Sequence, residues 1–118
     1  MNLKLAMNTG TFNLGSIYFQ DAVRAISKAG FTGIDPRDNH IQEYLEKGHS
    51  IQDVKKLLEE NQLHPIAMNS LRDWQTRGGK TKGEYRKLVE HYLEQSKGMG
   101  CDYVICCAFA EKSNIEFH

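Results

Sequence analysis

Two prolines and a single tryptophan occur among 118 residues, neither sign of charge is in excess, and the three cysteines are an odd number. Each scarcity excludes something. Cys101, Cys106 and Cys107 include an adjacent pair, which does not suit the paired framework of a small secreted disulfide domain. Fifteen Lys and Arg balance fifteen Asp and Glu, so the basic face of a duplex-binding module is not expected. No apolar run approaches the ~20 residues of a membrane helix, and Met1 to Asn8 lacks the apolar stretch and cleavage site of a signal peptide. The expectation is a reduced, cytoplasmic protein that binds neither nucleic acid nor membrane. The five histidines never stand at HxH or HxxxH spacing, so the sequence offers no local metal pair.

What is present is an alternation of short apolar runs with longer amphipathic ones. Leu3 to Met7 reads as a first strand. Ser16 is placed to cap a helix from about Ile17 to Lys28, whose Phe19, Ala22, Val23 and Ile26 share a face. Thr32 to Ile34 is a very short strand stopped by Pro36. Ser50 and Asp53 form a capping box before the stripe Val54, Leu57 and Leu58, and that helix ends near Asn61. Pro65 to Met68 follows as a strand. A third helix spans about Gly83 to Lys97, and Gly98 and Gly100 punctuate its end. Tyr103 to Ala108 is a continuous apolar run, expected to be buried on both sides in a parallel sheet with Cys106 and Cys107 packed inside. The tail from Glu111 to His118 has no clear period.

The pattern is β-α-β-α-β-α-β with a repeat of about 30 residues, the size of a βα unit. Such alternation argues for an α/β chain with parallel strands and right-handed crossovers. Residues 1–118 read as one domain. The first turn, from Asn8 to Gly15, contains no G-x-G-x-x-G, which disfavours a doubly wound nucleotide-binding sheet. The N-terminal half of a (β/α)8 TIM barrel fits better, a complete barrel needing about 250 residues.

In either architecture ligands sit at the C-terminal strand ends. Those ends hold Asn8 and Thr9, then Asp35 and Arg37, then Asn69, Ser70 and Arg72, and last Cys106, Cys107 and Phe109. Amides match sugar hydroxyls, which both donate and accept, and an arginine can fork onto a carboxylate or phosphate. Asn8, Asp35, Arg37, Asn69 and Arg72 are the candidate substrate-binding residues. Pro36 fixes the backbone between Asp35 and Arg37, so Arg37 is the preferred contact, Asp35 its orienting partner or a hydroxyl acceptor, and Asp38 is expected to be solvated. Trp74 is expected to anchor a loop over the mouth. His64 falls at the opposite end of its strand, and His91 on the outside of a helix.

The segments "KLAMNTGTF", "AGFTGIDPRD", "HSIQDVKKLLEENQLHPIAMNS" and "GCDYVICCA" together resemble the N-terminal half of the xylose isomerase-like barrels. These include sugar phosphate isomerases and epimerases and endonuclease IV-type enzymes, and the resemblance is greatest to the inosose (2-keto-myo-inositol) isomerase branch. It rests on Asn8 ending strand one, Asp35-x-Arg37 ending strand two and Asn69 ending strand three. It implies a divalent-metal-dependent isomerase or epimerase that moves a proton through an enediolate, with Mn, Co, Zn or Mg as cofactor and a sugar or inositol derivative as substrate. It also implies that the metal ligands sit on strands five to eight, so neither they nor any catalytic group are expected here, and the isolated chain is expected to be inactive. A lone half barrel would leave its edge strands open, so pairing with a second copy or with a C-terminal half is expected. The alternatives are a non-catalytic half barrel that self-associates or binds polyols, and an endonuclease IV-like DNA repair enzyme.

Overall fold

The computed structural model describes residues 3–12, 17–74 and 76–107. Five short strand segments alternate with helices: β1 (Ala6–Asn8), α1 (Phe19–Lys28), β2 (Gly33–Asp35), α2 (Asp38–Glu46), α3 (Ile51–Glu60), β3 (His64–Pro65), β4 (Ala67–Leu71), α4 (Lys82–Met99) and β5 (Tyr103–Cys106). All pairings are parallel: Met7 stands opposite Ile34, Ile34 opposite Pro65, and Met68 opposite Val104. β3 and β4 are two parts of one line, broken at Ile66. The Ile66 N–H donates to Ile34 O at 2.9 Å, the Asn69 N–H donates to Pro36 O at 2.9 Å, and Arg37 bridges to Asn69. The spatial order is therefore β1, β2, β3 with β4, then β5, the chain order expected of the start of a barrel.

The core lies on one side of this sheet. Ile34 and Met68 are fully buried against Val23 and Ile26 of α1, Ile41 of α2, Val54 and Leu58 of α3, and Met99 of α4. The opposite face is open. Leu5, Ile66 and Tyr103 are exposed large apolar residues, and a cavity of about 290 Å³ lined by Leu5, Ala6, Gly33 and Ile66 runs beneath the N-terminal strand ends.

Helix boundaries follow local chemistry. Ser50 and Asp53 form the expected capping box on α3, and Thr81 with Glu84 forms another on α4. The Ser50 amide and hydroxyl hold the Asp53 carboxyl below its ordinary value. The Gly100 φ of 82° supplies the left-handed residue that ends α4.

Several expectations are corrected. β1 begins at Ala6, because the Leu5 carbonyl already turns to accept from Thr32 and Gly33, and Leu3 and Leu5 are exposed. α1 starts at Phe19 with Tyr18 as a cap that makes no side-chain hydrogen bond; Ser16 lies outside the described residues. α2 has no counterpart in the sequence reading. Only His40, Ile41 and Tyr44 of its nine residues are buried, too few to show a helical stripe. β5 is an edge strand with Tyr103 and Cys106 exposed, so its apolar run is not buried on both sides; Ala108 and Phe109 lie outside the described residues.

Gly98 is not a terminator but an interior residue of α4. A Cβ there would stand 2.9 Å from Ile51 Cγ2, so the glycine lets α4 approach α3. Alanine in a helix interior is ordinarily better than glycine by ~1 kcal/mol, but Ile51 is β-branched and gives way poorly. Gly98→Ala should therefore destabilise the chain by about 1 kcal/mol or more. In an Ile51→Ala background the same change should stabilise. Urea unfolding of the four variants measures this, and a gain in the parent background would contradict the close packing.

Candidate functional site

The C-terminal ends of β1 and β2 meet in register, Asn8 opposite Asp35. Directly after β1 the chain tightens into a 3-10 turn, Thr9–Thr11, capped by Asn8 Oδ1, which accepts from the Gly10 N–H at 2.7 Å. The oxygen end of the Asn8 amide is thus committed to the turn.

Thr9 is wholly buried. Its Oγ1 accepts the Arg37 backbone N–H at 2.9 Å and stands 2.8 Å from His40 Nδ1. The hydroxyl joins the end of β1, the second residue after β2, and the first turn of α2. Burial holds His40 below its ordinary value; Glu43 and Asp38 pull it up, and Arg37 adds to the lowering. The neutral ring can accept the Thr9 proton at Nδ1.

Arg37 lies over Gly10. A Cβ on Gly10 would stand 2.6 Å from Arg37 Cδ and 2.8 Å from Arg37 Nη1, so only glycine leaves room for the guanidinium stem to cross the turn. Arg37 Nε and Asp35 Oδ1 are both buried without a hydrogen-bond partner, and the two side chains form no ion pair with each other. The orienting-partner role expected for Asp35 is therefore not seen. Burial pushes the Asp35 carboxyl above its ordinary value, partly offset by the Ala67 backbone amide. Each buried polar group left unpaired costs ~1–3 kcal/mol. A buried acceptor and a buried donor thus both lie unpaired at the sheet mouth. Asn69, half-buried, adjoins them through its bridge to Arg37.

Arg72 does not join this group. Its Nε donates to Ser70 Oγ at 3.3 Å, and it lines a separate cleft with Asp38, Tyr85 and Tyr92, between the loop after β4 and α4. Asp38 is not merely solvated, because the Tyr92 hydroxyl donates to its carboxylate. Burial, and then Asp38, push the Tyr92 hydroxyl above its ordinary value, and Arg72 opposes them. Trp74 is 49% exposed, so the loop anchor expected of it is not a buried one. His64 and His91 are exposed, as expected. The sequence reading missed His40, whose neighbours Asn39 and Ile41 give no hint that Thr9 would lie against it.

Because the folded state depresses His40, below its ordinary 6.5 it binds fewer protons than the unfolded chain. Stability should be full above about pH 6.5 and should fall as the pH drops below that. In His40→Asn this slope should flatten. Thermal unfolding between pH 7.5 and 5 would show it, and an unchanged slope would remove His40 as its source.

No sequence-family profile and no curated protein matches the chain. Solved structures do. An IolI protein with a bound zinc atom is 24% identical, with a TM-score of 0.79 over 97% of this chain and 41% of that one. A xylose isomerase-like TIM barrel/4-hydroxyphenylpyruvate dioxygenase fusion protein is 18% identical, with a TM-score of 0.76 over 93% of this chain and 17% of that one. An AP endonuclease, family 2, from Brucella melitensis is 18% identical, with a TM-score of 0.59 over 86% of this chain and 38% of that one. The chain spans less than half the length of each of these proteins.

Proposed function

The chain has the fold of the first part of the xylose isomerase-like TIM barrels, and from that premise we propose that it forms the substrate-positioning wall of a sugar or inositol isomerase or epimerase. One observation carries the reading. Asp35 Oδ1 and Arg37 Nε are buried, unpaired and opposite in hydrogen-bonding sense, at the strand ends where this fold places its ligands. A polyol bearing a carbonyl offers both partners, a hydroxyl to donate to Asp35 and an oxygen to accept from Arg37. Asn8 Nδ2 and Asn69 extend the same wall.

The reaction class on this reading is proton transfer between the carbons beside a carbonyl, through an enediolate. The zinc belongs to the IolI relative. Among the described residues no three His, Cys, Asp or Glu side chains gather into a metal site. On this reading the part of the described residues is binding and orientation. Balanced charge argues against the nuclease alternative, and the free thiols of Cys101, Cys106 and Cys107 fit a reducing cytoplasm.

The test is deuterium exchange. The full-length protein, incubated with inososes or ketoses and a divalent cation in D2O, should exchange the proton next to the carbonyl, and no exchange with any of them would sink the isomerase reading. Polyol binding without exchange would leave a non-catalytic polyol-binding half barrel. Asp35→Asn separates binding from structure. Since the folded state raises the Asp35 carboxyl, its charged form costs stability at neutral pH. The variant should melt no lower than the parent while losing about tenfold or more in polyol affinity. A marked loss of stability would make Asp35 structural.

A further inference from the structure

The cleft that takes Arg72 away from the mouth is itself built for a ligand. It holds about 150 Å³ between α4 and the loop 72–81, half the ~300 Å³ at the low end for whole small-molecule sites, so it suits a head group rather than an entire sugar. Three cations line it, Arg72, Arg77 and Lys80, against two carboxylates, Asp38 and Asp73. Asp38 already accepts from Tyr92. Among the described residues none of the three cations forms an ion pair.

The loop carrying them is held in place. The Tyr85 hydroxyl donates to the Arg72 carbonyl at 2.9 Å, and Arg72 Nε is held on the buried Ser70 hydroxyl, leaving its terminal nitrogens free. Gly78, with φ of 54°, lets Asp73 and Lys80 fold over the same point. Asp73 Oδ2 and Lys80 Nζ lie 3.7 and 3.8 Å from where its Cβ would be, yet the two do not pair.

We propose that this cleft is an oxyanion site for a phosphate-class dianion, gripped by Arg72, Arg77 and Lys80 and distinct from the sheet mouth. Guanidinium forks and an ammonium are the groups that recognise phosphoryl oxygens, and the three cations outnumber the two carboxylates by one, so the cleft favours an anion. The inference goes beyond the isomerase reading and does not depend on it.

Inorganic phosphate titrated at low ionic strength, followed by ³¹P NMR and calorimetry, tests it. The expected result is saturable binding at about 1 mM or tighter, weakened about tenfold or more in the Arg72→Ala/Arg77→Ala/Lys80→Ala variant and tightened in Asp73→Asn. Circular dichroism checks that each variant is folded. A phosphorylated sugar that binds more tightly than phosphate, beside its unphosphorylated parent that does not compete, would identify a ligand-borne phosphoryl group; equal affinity of sugar phosphate and phosphate would identify the free ion. No saturable binding, or an affinity unchanged in the triple variant, overturns the site. So does a loss caused by Arg37→Ala alone, which would move the anion to the mouth and leave the isomerase reading standing.

Discussion

Thr9 Oγ1 is the point on which the mouth depends. One buried hydroxyl receives the backbone amide of Arg37 and meets the ring of His40, so it fixes the end of β1 to the end of β2 and to the start of α2 together. A hydroxyl can do this because it accepts and donates at once. Valine would fill the same space and satisfy neither partner. From that fixed point Arg37 is laid across Gly10, while Asp35, whose carboxyl is met by the Ala67 backbone amide, keeps its Oδ1 buried without a partner. The unpaired polar atoms at the mouth are thus a by-product of how its backbone is tied.

The sheet places that mouth at the boundary between a finished side and an unfinished one. Helices cover one face and bury Ile34 and Met68 completely. The other face presents Leu5, Ile66 and Tyr103, the kind of apolar surface that in a closed barrel is filled by layers of facing side chains. The polar residues at the strand ends stand at the rim of that open face. Arg72, two residues past the mid-strand Ser70, falls instead on the helix side. The same strand end therefore serves two separate polar surfaces.

Much of this architecture was legible in the residues. The capping box at Ser50, the stripe of α3 and the alternation of strands with helices rest on local chemistry that tertiary structure did not override. Asn8, Asp35 and Arg37 could be placed at or just past strand ends because those ends are set by Pro36 and by the turn after Asn8, whereas Asn69 does not end its strand but lies inside β4, which runs on to Leu71. What escaped was set by distant contacts. α2 is too short and too polar to announce itself. Gly98 looked like a helix stop until Ile51 of a neighbouring helix was seen to require it. The side to which Arg72 turns is decided by Ser70, Tyr85 and Tyr92, which no spacing rule connects. His40 acquires its role only from Thr9, thirty-one positions away.

The all-parallel register has a further consequence, for the order in which the molecule is made. No two neighbouring strand lines are joined by a hairpin; each pairing waits on a crossover of roughly 30 residues. Such non-local contacts incur their loop-closure entropy before any ladder hydrogen bond forms, and chains built of them fold slowly. Asn8 and Asp35 meet only when the loop carrying α1 closes, and Arg37 and Asn69 only when the next one does. The rim is assembled by ring closures of this kind.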